Sequence, residues 1–412
     1  MTPPSADSIN AGVGLGRAPA ADTRAQSLLP WYLDFTAWTA ALAVVGFPFA
    51  ALAASYFGAL DARYSIVFRG LVIILSGLVF IVNAMRYGIR LPDPFLLVFL
   101  AVYSVRLIWD TGRPIYPDAD YALTYYAAAV IAPLVGVLLP ARSWKGRNFL
   151  ACFYCVGAAG CILSLILALQ GYSTDADATT RLEFERLSPI SVGHLATTTI
   201  LATIAAWTVW PSRTLRVVAL GALGFAVPLL YLTLSRGPLV SLLVPLSIYI
   251  VRRRMWYLVL PMVAGLLFVF FNAPLVEGES LLDHMRITGV DSGETVSIRF
   301  ELYQLAWDEF VANPILGSGY AVPITGEYPH NMILESGMAL GVAGFVLLIS
   351  LLVRTIPKAI SAMSGDDAIF ALMFLQYAMG AQFSGGIWDA VAVYMFMDVL
   401  LSRAPPKSPA PA

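Results

Sequence analysis

The sequence predicts an all-α, polytopic integral membrane protein, and three observations lead to this prediction. Of its 412 residues, 59% are hydrophobic and 12% are charged, whereas a typical soluble domain is about 45–50% apolar and about 25% charged. The mean hydropathy is +0.76. Apolar runs alternate with short polar loops along the chain, and a spanning helix needs about 20 apolar residues. These features exclude a soluble globular enzyme and a secreted disulfide-rich domain.

The apolar runs predict about 12 transmembrane helices in a single transmembrane domain over residues 33–402. Residues 1–32 and 403–412 are rich in small residues and proline, and we expect both segments to be disordered cytoplasmic tails. The predicted spans are Leu33–Phe57, Ile66–Asn83, Pro94–Trp109, Tyr121–Leu139, Asn148–Leu169, Ile190–Val209, Val217–Leu234, Pro238–Val251, Tyr257–Phe271, Met332–Val353, Ala368–Phe383 and Ile387–Leu401.

Basic residues are concentrated in alternate loops. The two tails and the loops on one side of the membrane carry 16 of the 25 basic residues, and the loops on the other side carry seven. Because Lys and Arg accumulate on the cytoplasmic side, this pattern predicts that both termini are cytoplasmic. An odd number of spans would break the alternation.

The longest outer segment, residues 272–331, contains a predicted amphipathic helix. Its apolar residues recur at helical spacing, and Asn313-Pro314 ends the run. We expect this helix to lie against the bundle or the membrane surface on the outer side. The apolar positions are Ile298, Leu302, Leu305, Ala306 and Phe310.

Two arginines on the outer side occupy unusual positions. Arg299 lies in the first turn of the amphipathic helix, where the helix dipole disfavours a cation; binding of a phosphate or a salt bridge to Glu294 would each explain it. Arg236 lies between two apolar runs, so it faces a cavity or a partner, or else extends to the interface. Gly237-Pro238 indicates a helix break at this point.

His330 begins an apolar run after a loop rich in glycine and proline. A histidine there can act as a base near neutral pH, or it can be an ordinary surface hydrogen-bonding residue. His194 and His284 have less context. The three cysteines, Cys152, Cys155 and Cys161, form no metal-ligand pattern, and no nucleotide-binding motif occurs. We therefore predict no metal, no cofactor and no nucleic-acid partner.

A series of short motifs occurs in one order over residues 232–348 and on one predicted side of the membrane. In chain order they are Ser235-Arg236-Gly237, Arg299 with Trp307, Asn313-Pro314-x-x-Gly317-x-Gly319, and His330-Asn331-x-x-Leu334 with Gly337, Gly341 and Gly344. This set resembles the O-antigen ligase and O-antigen polymerase family, which are lipid-linked glycan transferases of bacterial membranes.

The resemblance implies a metal-independent, inverting glycosyltransferase of the bacterial inner membrane whose active site faces the periplasm. It implies that Arg236 and Arg299 bind the diphosphate of an undecaprenyl-diphosphate-linked glycan donor. It also implies that His330 is the catalytic base for an acceptor hydroxyl. Arg186 resembles a further diphosphate-binding arginine of the family, but the asparagine that usually follows that arginine is not evident here.

Three functions remain open from the sequence. A ligase would transfer the glycan to lipid A–core, and a polymerase would transfer it to another lipid-linked glycan; both use the same donor. A small-solute transporter is the alternative from another class. Transporters carry ionisable residues near the membrane midplane, and the sequence places only Arg69, Arg106 and Asp398 inside the predicted spans.

Overall fold

The structure is a computed structural model that describes residues 33–58, 63–142, 144–172, 182, 184, 187–233, 235–260, 262–264 and 294–403. Every regular element in these ranges is helical, and two isolated β-bridges join loops. The predicted all-α class is therefore confirmed. Both predicted tails lie outside these ranges, apart from Arg403.

Fourteen α-helices are described. In chain order they are α1 Phe35–Tyr56, α2 Arg63–Tyr87, α3 Pro94–Asp110, α4 Ala119–Tyr125, α5 Ala132–Leu138, α6 Gly146–Leu169, α7 Pro189–Val209, α8 Arg213–Gly221, α9 Leu223–Thr233, α10 Arg236–Arg253, α11 Glu294–Ala312, α12 Met332–Ala362, α13 Ala368–Gly380 and α14 Val391–Leu401. A π-helix, Tyr126–Ile131, joins α4 to α5, and 3₁₀ turns occupy Trp256–Leu258 and Ile387–Asp389.

Capping residues explain where several helices begin. The Asp34 carboxylate accepts a hydrogen bond from the Ala37 N–H at the start of α1. The Ser188 hydroxyl caps α7, whose first residue, Pro189, has no N–H to satisfy. Each cap supplies an acceptor to an N–H that has no partner within its helix.

Seven helical segments among the described residues are long and apolar enough to cross a membrane, and α13 and α14 are shorter apolar helices. The count of twelve spans stays a prediction, because Tyr257–Phe271 falls mostly outside the described residues. Several helices extend beyond the predicted spans. Helix α2 continues to Tyr87 past the predicted end at Asn83, helix α12 continues to Ala362 past Val353, and α8 begins at Arg213, before the predicted start at Val217.

Burial separates the central helices from the peripheral ones. All residues of α14 are buried, which explains why this helix is apolar on every side. In α2, by contrast, only 17% of the apolar window is buried, and large apolar side chains such as Ile74 and Leu78 are exposed. We expect the exposed side chains of α2 to face lipid.

The helix ends form two groups, which we call the Asp34 end and the His330 end. Ion pairs connect the loops of the Asp34 end: Arg142–Asp34, Arg90–Asp398, Arg147–Asp366, Arg354–Asp93 and Arg403–Asp367. The basic loops predicted to be cytoplasmic are thus gathered at one end of the bundle. That this end faces the cytoplasm stays a prediction.

Candidate active site

The candidate site is organised around a short backbone segment, Ala381–Ser384, which follows α13 at the His330 end. The Arg299 guanidinium donates to the Phe383 carbonyl through Nη1 at 2.6 Å. The Tyr303 hydroxyl and the Asn331 amide both donate to the Gln382 carbonyl at 3.2 Å. Helices α11, α12 and α13 therefore meet at one stretch of backbone, which we call the carbonyl segment.

His330 lies two residues before the start of α12 and has a left-handed backbone conformation, with φ of 53°. The next residue, Asn331, is the N-cap and accepts hydrogen bonds from the N–H groups of Ile333 and Leu334. The ring centroid of the His330 imidazole lies 4.2 Å from that of Tyr328. A non-glycine residue in this conformation is uncommon and is typical of functional sites.

The protonation of His330 is set by its surroundings. Burial, and then the nearby Arg299 cation, lower the pKa of His330 to about 4, while a backbone hydrogen bond at Ser384 acts in the opposite direction. The buried Nδ1 atom has no hydrogen-bond partner among the described residues. The imidazole is therefore neutral at physiological pH and has a free ring nitrogen, as a general base requires.

Arg236 is the first residue of α10 and lies beside the carbonyl segment. A Cβ atom on the next residue, Gly237, would be 3.6 Å from the Phe383 Cβ, so Phe383 adjoins both the Arg236 turn and Arg299. The described residues provide no hydrogen bond or ion pair to the Arg236 guanidinium. The helix break predicted at Gly237-Pro238 is misplaced: it comes before Arg236, and Pro238 lies in the first turn of α10.

Three predictions fall on positions that are not described. Arg186, the further diphosphate-binding candidate, lies outside the described residues, as does His284. The side chain of Glu294, the alternative salt-bridge partner of Arg299, is also outside them. Among the described residues, the Arg299 guanidinium donates one hydrogen bond, to the Phe383 carbonyl.

A helix does cover the segment predicted to be amphipathic, since α11 runs over Glu294–Ala312 and ends just before Asn313-Pro314. Leu302 and Ala306 are buried, whereas Trp307 is exposed. The position of this helix outside the membrane stays a prediction.

The glycine motifs dock the loop after α11 onto α12. Gly341 interrupts α12 with φ of 67°, and a Cβ atom there would be 2.5 Å from the Pro314 and Ile315 carbonyl oxygens. The next residue adds to this contact, because the Val342 N–H donates a hydrogen bond to the Pro314 carbonyl oxygen at 2.7 Å. Gly317 packs as closely against the Ala339 carbonyl. These contacts fix α11, and hence Arg299, relative to His330.

The structure adds a buried carboxyl group that the sequence analysis missed. Glu335 lies within the predicted span Met332–Val353, and Asp34 and Asp389 also lie within predicted spans, so the statement that Arg69, Arg106 and Asp398 are the only span charges is wrong. Its side chain is 0% exposed, and it accepts hydrogen bonds from the Tyr103 hydroxyl at 2.5 Å and the Ile387 N–H at 2.8 Å. The Glu335 carboxyl thus holds the 3₁₀ turn beside the carbonyl segment.

Aromatic side chains surround this turn. The Trp388 ring lies 4.9 Å from that of Tyr125 and 5.3 Å from that of Tyr328, both in edge-to-face geometry. The Arg69 guanidinium lies 4.1 Å from the Tyr125 ring centroid. Arg69, which the sequence placed inside a span, is therefore stabilised by a cation–π contact.

Metal ligation has no support among the described residues, which contain no group of three His, Cys, Asp or Glu suited to an ion. The three cysteines are free thiols. Cys161 lies 3.3 Å from the Thr199 hydroxyl, within a packed helix pair.

These features define the class of the protein: it is a multi-helix membrane protein with a candidate arginine–histidine site at one end of the bundle. Residues 221–349 match the family model described as O-antigen ligase. The match contains the predicted region 232–348 together with Arg236, Arg299 and His330, and it confirms the family resemblance over this part of the chain. Searches of curated proteins and of solved structures give no match.

Proposed function

We propose that the protein transfers a glycan from undecaprenyl diphosphate to a sugar hydroxyl, as an O-antigen ligase whose acceptor is lipid A–core. The observation that carries this proposal is the convergence of Arg299, His330 and the start of α10 on the carbonyl segment. The site combines donors for a diphosphate with a neutral base for a hydroxyl. The O-antigen ligase match over the same residues supports it.

The arginines hold the leaving group in this proposal. Arg299 donates to the Phe383 carbonyl, and Gly237, the residue after Arg236, adjoins the Phe383 side chain. Guanidinium groups bind phosphate oxygens through paired N–H donors. The first turn of α10 adds free backbone N–H groups and the positive end of the helix dipole. As the glycosidic C–O bond breaks, these groups stabilise the negative charge that develops on the diphosphate.

His330 activates the acceptor. Its imidazole takes the proton of the acceptor hydroxyl while that oxygen bonds to the anomeric carbon of the donor sugar. The electron pair of the broken C–O bond stays with the diphosphate oxygen. Attack opposite the leaving group inverts the anomeric configuration, and no metal ion or cofactor enters this scheme.

The charges inside the helices favour transfer over transport. Arg106 pairs with Asp110, and Asp398 pairs with Arg90. Arg69, Arg106, Asp398 and Glu335 all lie within about two turns of a helix end, whereas transporters bind ions and substrates near the membrane midplane.

The proposed location is the bacterial inner membrane, with both termini in the cytoplasm and the His330 end in the periplasm. Reporter fusions test this orientation. Fusions after Arg147 and Arg254 should report a cytoplasmic position, and a fusion after Ser292 should report a periplasmic one. A cytoplasmic signal at Ser292 would put the site on the wrong face for the proposed acceptor.

Deletion of the gene, followed by analysis of surface glycans, tests the proposed reaction. A ligase leaves chains of normal length on the lipid carrier and none on lipid A–core. A polymerase leaves single repeat units instead. Unchanged glycans in the deletion strain would contradict both transfer reactions.

A further inference from the structure

The turn that follows α11 exposes large apolar side chains. Ile315 and Leu316 are 81% and 80% exposed, and Val311, at the end of α11, is 59% exposed. We call these three residues the apolar tip. Contiguous exposed apolar side chains indicate a surface that contacts a partner or a membrane, and the depth of the tip in the bundle indicates which of the two it is.

Helix α12 gives one measure of this depth. Its Arg354 pairs with Asp93 at the Asp34 end. Gly341 lies about 20 Å from Arg354 along the helix, at about 1.5 Å per residue. A Cβ atom at Gly341 would be 2.5 Å from the Pro314 and Ile315 carbonyl oxygens. The apolar tip therefore lies at the level of Gly341.

Helix α3 gives a second measure, independent of the first. Asp93 is the N-cap of this helix, and Arg106 lies about 20 Å farther along it. The Arg106 guanidinium donates to the Leu316 carbonyl through Nη1 at 3.4 Å. Two helices that start from the same ion pair thus place the apolar tip at the same depth.

The thickness of a bilayer then locates the tip. A hydrocarbon core is about 30 Å thick, and charged side chains are costly within it. The core therefore begins at the Arg354–Asp93 pair or nearer the middle of the bundle, and its other boundary lies about 10 Å or more beyond the apolar tip. Met332, where α12 begins, is about 33 Å from Arg354, just outside the core.

Helix α11 runs from the His330 end down to this depth. Near its start, Arg299 contacts the carbonyl segment. Near its end, the Phe310 ring packs against Gly337 and stacks on the Phe345 ring, with 5.7 Å between the ring centroids. The chain then returns to the same end of the bundle at His330. A segment that enters and leaves on one side of a membrane is re-entrant.

The backbone of the turn has the protein partners that such a position requires. Non-helical backbone at membrane depth is tolerated where its polar groups are satisfied by the protein. Pro314 has no N–H group, and its carbonyl accepts a hydrogen bond from the Val342 N–H at 2.7 Å. The Leu316 carbonyl accepts from Arg106. The turn can therefore present its apolar side chains to lipid.

The surface around the tip is also apolar. On α3, Val105 and Ile108 are exposed, and on α12, Val342 and Val346 are exposed. The apolar tip thus continues the surface that these two helices present to lipid. Trp109 is exposed one residue beyond Ile108, and tryptophan is enriched where a membrane meets water. Its position agrees with a membrane boundary beyond the tip.

We propose that α11 and the turn after it form a re-entrant segment whose apolar tip inserts among the acyl chains of the leaflet at the His330 end. The insertion does not depend on the proposed transfer function. Because α11 also carries Arg299, contact between the tip and the acyl chains fixes the height of this guanidinium relative to the bilayer.

A matched pair of spin labels tests the insertion. Ile315 and Ile324 are the same residue type and both are 81% exposed, but Ile324 lies in the loop that leads back to His330. Ile315→Cys and Ile324→Cys each carry a nitroxide in lipid nanodiscs, in a background with the three native cysteines changed to alanine. Electron paramagnetic resonance measures collisions with oxygen, which concentrates in lipid, and with a water-soluble nickel chelate.

We expect the label at Ile315 to collide with the nickel chelate at least tenfold less often than the label at Ile324, and to collide with oxygen more often. The reason is that acyl chains surround the first position and water surrounds the second. Equal nickel accessibility at the two positions, whether high or low, would overturn the proposal.

A second pair, on α11 itself, measures the slope of the helix and does not depend on a change in the turn. Phe300 and Val311 are both exposed, near opposite ends of α11. We expect a label in Val311→Cys to be protected from nickel and a label in Phe300→Cys to be accessible. Equal accessibility would mean that α11 lies flat on the membrane surface, which would also overturn the proposal.

Discussion

The two ends of the helix bundle differ in how their charged side chains are paired. At the Asp34 end, five ion pairs join the loops, and buried Asp34 and Asp398 each face an arginine. At the His330 end, Arg299 donates to a carbonyl, and Arg236 has no partner among the described residues. Paired charges connect helices, whereas charges left without a counterion remain available to a ligand.

The His330 end also contains a cluster of paired charges around Asp110. Asp110 accepts from Arg106 and Arg113 at 3.1 Å and from the Tyr320 N–H at 3.0 Å. This cluster fixes the loop that leads to His330. Arg106 and Arg299 are therefore at the same end, but only Arg106 has a described carboxylate partner.

The largest expected effect is that of His330→Ala on transfer. General-base catalysis contributes about 10²–10⁴-fold, so we expect turnover to fall by that factor while donor binding is largely retained. Purified protein in lipid, with separate measurements of transfer and donor affinity, checks this. Wild-type turnover would remove His330 from the mechanism, and lost donor affinity would move it to the diphosphate side.

A change at the Asp34 end should affect stability instead of activity. Arg90→Gln leaves the Asp398 carboxylate buried without its cation, and breaking a buried pair costs about 3–5 kcal/mol. We expect the lower end of this range, because the Arg90 side chain is 26% exposed. Thermal unfolding in detergent measures the loss.

Arg354→Gln is the matched control for Arg90→Gln. The Arg354 side chain is 41% exposed, and such surface pairs contribute about 0–1 kcal/mol. Donor affinity should be unchanged in both variants. A loss of donor affinity in either one, at normal stability, would contradict the assignment of this end to structure.

The pH dependence gives a smaller and more specific test. With the pKa of His330 lowered to about 4, the neutral base persists well below the ordinary value of about 6.5. We expect kcat/KM to stay constant from neutral pH to about pH 5 and to reach half its value near pH 4. The limb in kcat should lie higher, because the bound diphosphate favours the imidazolium. An acid limb of kcat/KM near pH 6.5 would mean that His330 is solvated in the working enzyme.

Much of the fold was predictable from the sequence because helix periodicity and apolar length are local signals. The predicted helix with Ile298 and Phe310 lies within α11, and Asn313-Pro314 follows its end. The sequence did not predict the ends of helices that continue into polar segments, because the spans were placed by the length of the apolar runs. Helix α12 continues past Val353 to Ala362 through a segment that includes Arg354 and Lys358, which hydropathy reads as a loop.

The sequence predicted some residues of the candidate site and missed others. Arg236 and His330 were proposed because each is polar at the edge of an apolar run, and Arg299 was proposed because it is a cation in the first turn of a predicted helix. Their roles came from the family resemblance. The carbonyl segment was not found, because its residues act through backbone carbonyls, which leave no trace in side-chain patterns. Glu335 did carry a signal, since a carboxylate inside a predicted span is costly, but its partners come from helices that are distant in the sequence.

The most direct test of the central claim is the affinity for undecaprenyl diphosphate in wild type, Arg236→Lys, Arg299→Lys and, as a control from the Asp34 end, Arg354→Lys. Lysine keeps the charge but cannot make the planar, paired contact with phosphate oxygens. We predict that Arg236→Lys and Arg299→Lys lose most of the affinity and most of the transfer activity, while Arg354→Lys binds as wild type does. Wild-type affinity and activity in both site variants, at normal protein levels, would contradict the claim that these arginines hold the diphosphate.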